Sequence, residues 1–78
     1  MARIIDGEHK NLIGENLRQL RIKLKISQQD LSNKLELLGV YICRGSISRI
    51  EDYSRTVTDI EFFAIAEALG IDPKELYH

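Results

Sequence analysis

The feature that most constrains this chain is one local pattern used three times: an apolar residue, a capping residue, an acid three positions later, and an apolar residue next. It occurs as Ile26-Ser27-Gln28-Gln29-Asp30-Leu31, Val57-Thr58-Asp59-Ile60-Glu61-Phe62 and Ile71-Asp72-Pro73-Lys74-Glu75-Leu76. Each copy combines a capping box with a hydrophobic staple. The cap oxygen accepts from an unpaired first-turn N–H, the acid reaches back to the cap's own N–H, and the flanking apolar pair closes over both. In the third copy Pro73 occupies the first helical position, where its missing N–H removes no helical hydrogen bond. Three helix starts in so short a chain predict an all-α fold.

The remaining helices follow from periodicity. Ile13, Leu17, Leu20 and Leu24 recur at spacings of four, three and four, which places them on the buried face of a first helix from about Asn11 to Lys25. A second helix carries Leu31, Leu35 and Leu38 inward and closes at Gly39, the residue type suited to a left-handed cap. A short amphipathic segment, Arg44 to about Tyr53, has Ile47 and Ile50 on one side and Arg44, Ser48, Arg49 and Asp52 on others. The fourth helix, Asp59 to Leu69, is apolar nearly all round and is predicted to be the central, most buried one. A final turn from Pro73 to about Tyr77 completes five elements. No strand pattern competes. Residues 1–10 show no periodicity and read as a tail, leaving 11–78 as a single domain.

Composition narrows the functional classes. With 44% hydrophobic and 29% charged residues the chain is ordinary globular protein. The lone Cys43 forms no internal disulfide, and with only His9 and His78 besides it no zinc site can be assembled. A reducing cytoplasm is the expected location. The longest apolar run, Phe62 to Ala66, is five residues, far short of the ~20 that span a membrane. Enzyme chemistry finds no support, because there is no paired histidine and nucleophile, no glycine-rich phosphate loop and no metal-ligand cluster. No cofactor and no small-molecule ligand are expected.

The net charge of −1 gives no overall attraction to nucleic acid, but its distribution is uneven. Residues 1–55 hold ten Lys and Arg against seven Asp and Glu, a net of +3, whereas residues 56–78 hold one against five, a net of −4. Arg18, Arg21, Lys23 and Lys25 come with no acid among them. On charge alone this run is either a solvated helix face or a phosphate-binding edge.

A short helix with basic and hydroxyl side chains, held by isoleucines against a longer capped helix, has the design of a major-groove reader. Arginine there can bond bidentately to guanine, and serine to several bases. The motifs Leu20-Arg21, Ile26-Ser27-Gln28-Gln29-Asp30-Leu31-Ser32, Ile47-Ser48-Arg49-Ile50-Glu51, Ile65-Ala66-Glu67-Ala68-Leu69-Gly70-Ile71 and Glu75-Leu76 stand in register. Together, over Ile13 to Tyr77, they resemble the Cro/C1-type, or Xre, family of bacterial and phage helix-turn-helix regulators. The resemblance implies a five-helix, lambda-repressor-like domain that binds double-stranded DNA as a transcriptional regulator. Repression is favoured because a bare reader can block polymerase without contacts of its own.

The resemblance also implies roles for residues. Gln28 would meet a phosphate or base edge, and Arg44, Gly45, Ser46, Ser48 and Arg49 would lie at or near the base edges. Lys23, Lys25, Ser54 and Arg55 would meet flanking phosphates. Arg21 and Glu51 would form a structural ion pair. A homodimer is expected, since one recognition helix reads half a site. Tyr77 and Ile71 are open between a dimer surface and the monomer core.

Three departures from the family pattern bear on these roles. Gly39-Val40-Tyr41-Ile42-Cys43-Arg44-Gly45 lengthens the connection before the recognition helix and leaves its start open, with Tyr41 and Cys43 expected in a buried connection. Ser32 stands where the family prefers alanine. Tyr53 replaces the usual glycine, so that either the helix runs on or the ring lies against the DNA backbone. The rival reading is a protein-interaction module on the same fold, an antitoxin-like partner or adaptor without DNA binding. Arg44 and Arg49 separate the two: exposed and clear of Glu51 and Asp52 they favour DNA, paired with those acids they favour the rival.

Overall fold

The computed structural model describes residues 9–77. Most of the expected tail, together with His78, lies outside the described residues. Four α-helices, α1 (Gly14–Lys23), α2 (Gln28–Leu37), α3 (Arg44–Glu51) and α4 (Asp59–Leu69), are followed by a 3-10 turn, Pro73–Leu76, in place of a fifth α-helix. No strand occurs among the described residues.

The three start patterns fold as local chemistry dictates. Ser27 Oγ accepts from Asp30 N at 2.9 Å while Asp30 Oδ2 accepts from Ser27 N at 3.1 Å, so the shorter acid closes the box. Thr58 and Glu61 form the same pair of bonds at 3.1 and 3.0 Å. Asp72 caps the last turn by accepting from Lys74 N at 2.9 Å, and its own N–H donates to Glu75 Oε2 at 3.1 Å. At the other ends, Gly39 and Gly70 take left-handed φ values of 80° and 70°.

One core joins all the elements. Leu17 of α1, Leu31 and Leu35 of α2, Ile47 and Ile50 of α3, Ile65 of α4 and Leu76 of the last turn are fully buried. Ile42 anchors the long α2–α3 connection at 2% exposure, whereas Tyr41 and Cys43 on either side face outward. The connection is therefore not buried as a whole. Ile42 is its buried anchor, and Val40 before it is half-buried, with its N–H donating to Leu35 O at 3.1 Å.

Several expectations about burial are corrected. Helix α1 stops at Lys23, and Lys25 takes a left-handed φ of 60° so that Ile26 N can donate back to Arg21 O at 2.9 Å. Leu24, past that stop, is 42% exposed, and Leu38, past the end of α2, is 40% exposed. Helix α4 is not covered on all sides: Ile65, Ala66 and Leu69 face the core, but Ile60 is 67% and Phe63 58% exposed.

Ser32 is fully buried on α2 and its Oγ has no hydrogen-bond partner among the described residues. A buried hydroxyl without a partner keeps its desolvation penalty. Ser32→Ala is therefore expected to stabilise the fold by about 1 kcal/mol, raising Tm by roughly 4–8 °C for a domain this size. A melt followed by circular dichroism checks this, and an unchanged or lower Tm would mean that the hydroxyl has found a partner.

Candidate nucleic-acid interface

Helix α3 is held at its C-terminal end and along one side. Ile47 and Ile50 anchor the inner face. The end is clamped to the start of α1 by Asn11, a buried residue that uses all its bonding capacity. Its Nδ2 donates to Ile50 O at 3.0 Å and to Arg55 O at 2.8 Å, and its Oδ1 accepts from the N–H of Ile13 and of Gly14 at 3.0 and 2.8 Å. Gly14 lies so close to α3 that a Cβ there would stand 2.5 Å from Ile50 O.

Tyr53 completes the clamp and corrects the expectation that the helix runs on. The helix ends at Glu51, and Tyr53 itself takes a left-handed φ of 68°. Its ring is half-buried and stacks on His9 at 4.2 Å between centroids, its hydroxyl accepts from Glu15 N at 3.1 Å, and its carbonyl accepts from Lys10 N at 3.0 Å. These contacts offset the cost of a left-handed bulky residue, about 1–2 kcal/mol. His9 is exposed but stacked.

A second tie crosses three helices. Arg21 Nε donates to Glu51 Oε2 at 2.7 Å and Nη2 to Oε1 at 3.1 Å, while Nη1 donates to Ile26 O at 3.0 Å. Gln28 Nε2 donates to the same Glu51 Oε1 at 3.0 Å. The carboxylate thus joins α1, the start of α2 and the end of α3, and its side chain is only 5% exposed.

With its inner side and its end committed, α3 turns its first turns outward. Arg44, Gly45, Ser48 and Arg49 are exposed and share one arc of the helix, with Ser46 half-buried at its edge. The Arg44 side chain makes no hydrogen bond or ion pair among the described residues. Arg49 Nη2 donates to Ser46 Oγ at 3.2 Å, not to an acid. Glu51 is taken by Arg21, and Asp52 accepts from Ser54. Cys43 caps the helix in space only, without a side-chain cap bond. The Ser46 hydroxyl beside it pulls its thiol below the usual range.

The flanking residues divide. Lys23, Lys25 and Ser54 are exposed. Arg55 is half-buried and bound bidentately to Glu61, at 3.1 and 2.9 Å, with a further bond to Thr56 O at 2.9 Å. Its guanidinium holds the Glu61 carboxyl below the ordinary carboxylate range. Among the described residues no group of His, Cys, Asp and Glu side chains is placed to hold a metal ion. Sequence reasoning missed Asn11 and Gly14 as clamp residues. The local signal for Asn11 is an Asn just ahead of a helix start, whose oxygen accepts from Ile13 and Gly14 N–H, but its bonds to Ile50 O and Arg55 O and the close approach at Gly14 depend on α3 and the segment after it.

A family model described as a helix-turn-helix domain matches residues 14–78. The chain belongs to that family. This helix-turn-helix chain is also similar to the restriction-modification controller protein C.AhdI from Aeromonas hydrophila. The two superpose with a TM-score of 0.74 at 29% identity, over 83% of this chain and 87% of that one. No curated protein matches it by sequence. The fold is that of a non-enzymatic, DNA-binding regulator of Cro/C1 type. No helix of the described residues is long and apolar enough to cross a membrane.

Proposed function

We propose that this helix-turn-helix protein is a sequence-specific regulator, most simply a repressor, that reads the major groove with α3. The observation that carries the proposal is the freedom of Arg44 and Arg49 from acids: the two carboxylates nearest in sequence are bound to Arg21 and Ser54 instead. An adaptor that had lost DNA binding would have no reason to keep two arginines exposed on this face. Arg44, Ser48 and Arg49 meet base edges in this reading, with Gly45 and Ser46 beside them. Lys23, Lys25 and Ser54 meet phosphates, which set register and affinity without reading sequence. The bonds of Gln28 to Glu51 and of Arg55 to Glu61 favour supporting roles for these two. The likeness to a restriction-modification controller supports a regulatory role acting in the cytoplasm.

The working form is a homodimer on this reading, as paired half-sites about one helical turn apart require. Its support is the apolar side left uncovered. Leu12, Phe62 and Tyr77 line a shallow groove of about 380 Å³, Phe62 packs against the rings of Phe63 and Tyr77, and Ile60 extends the same helix outward.

Selection from random duplex DNA near physiological salt tests the proposal, with sedimentation to read the dimer. A palindrome with half-sites about one turn apart is expected, and no enrichment by the folded protein would favour the protein-interaction reading. Arg44→Ala is expected to weaken binding to the selected site by about 1–3 kcal/mol and to relax preference at one base pair. Lys25→Ala is expected to weaken all sequences alike and to reduce the salt slope by about one unit. A sequence-selective loss in the lysine variant would contradict its phosphate role.

A further inference from the structure

Arg49 does not extend freely from α3. Its Nη2 donates to Ser46 Oγ at 3.2 Å, one turn toward the start of the helix, and its Nη1 lies 3.8 Å from where a Cβ on Gly45 would stand. The guanidinium is therefore folded back along the outer side of the first turn, over a position with no side chain. Gly45 has no positive φ, and nothing else lies within 4 Å of its missing Cβ. The fold itself does not require glycine there, and glycine is a poor helix former. Ser46 is half-buried, and its Oγ also accepts from Cys43 Sγ at 3.3 Å, so the hydroxyl is held from the N-cap side as well.

Building on the DNA-binding reading above, we infer that Ser46 is a positioning residue for Arg49 and not itself a reader of bases. Its hydroxyl holds the guanidinium over Gly45, aimed at the N-terminal end of α3. One bond to Ser46 leaves the remaining guanidinium donors for a bidentate contact to guanine O6 and N7. Ordering this long side chain before DNA arrives removes part of the entropy cost of ordering it on binding. Ser46 and Arg49 therefore determine preference at one and the same G·C pair.

The test compares selections from random duplex DNA by the wild type, Arg49→Ala, Ser46→Ala, Ser46→Thr and the Ser46→Ala/Arg49→Ala double variant, each shown to be folded by circular dichroism. Arg49→Ala is expected to lose roughly 10-fold or more of the preference for guanine at one pair. Ser46→Ala loses preference at that same pair, the double variant is no worse there than Arg49→Ala, and Ser46→Thr, which keeps the hydroxyl, retains the wild-type preference. The inference is overturned if Ser46→Ala loses preference at a different pair, if it keeps the full wild-type motif, or if the two losses add. A wild type that enriches no sequence overturns the DNA-binding reading itself, which is seen before any variant is compared.

Discussion

Gly14→Ala is expected to destabilise the protein by about 3 kcal/mol, at the upper end of overpacking costs, although alanine is the better helix former by up to ~1 kcal/mol. The added Cβ would stand 2.5 Å from Ile50 O, 2.9 Å from Glu51 O and 3.1 Å from Tyr53 Cε1. Two of these atoms are backbone, so no side chain can swing aside and α1 must move off α3. That movement also strains Asn11, which bonds Ile50 O and Arg55 O from the segment leading into α1. A loss of this size lowers Tm by roughly 12–24 °C in a domain of this length. Thermal or urea unfolding measures it. A midpoint at or above that of the wild type would show that the α1–α3 approach is slack. DNA affinity measured well below Tm is expected to fall too, because the same approach sets how far α3 projects.

Glu51→Ala is expected to cost about 3–5 kcal/mol, the usual range for removing one partner of a buried ion pair. Arg21, with its side chain 12% exposed, would keep its charge but lose two of its three bonds, and Gln28 Nε2 would lose its acceptor. The cost reflects the orphaned cation more than the worth of the pair. Replacing both residues by apolar ones of similar size, Arg21→Met with Glu51→Leu, is therefore expected to recover much of the loss. Chemical denaturation of the two variants decides this. A loss under about 1 kcal/mol in Glu51→Ala would place Arg21 among side chains that reach solvent easily, as exposed ion pairs do.

Both predictions concern the placing of α3, and they show how differently parts of the fold were written in the chain. The starts at Ser27, Thr58 and Asp72 were legible because cap, acid and staple lie within six consecutive residues and close on one another. The family was legible because its motifs stand in register over most of the chain, and the family model covers residues 14–78. The Arg21–Glu51 pair entered only through that resemblance, since nothing local links residues 30 positions apart. Helix α4 misled because an apolar side chain states what it would bury, not which neighbour is there to cover it. Ile60 and Phe63 stay outside for lack of a facing element among the described residues.

By itself, then, the sequence determined the helical class, three of the helix starts and the outward residues of α3, because these depend on hydrogen bonds and periodicity within a turn or two. Tertiary structure alone decided where α1 meets α3. It gave Asn11 its partner 39 positions away, left no room for a side chain at Gly14, and held Tyr53 in a left-handed conformation that its own backbone disfavours. The physical reason is that close approach and buried polar pairing are properties of two surfaces brought together, and neither surface carries a mark of the other in its own local pattern.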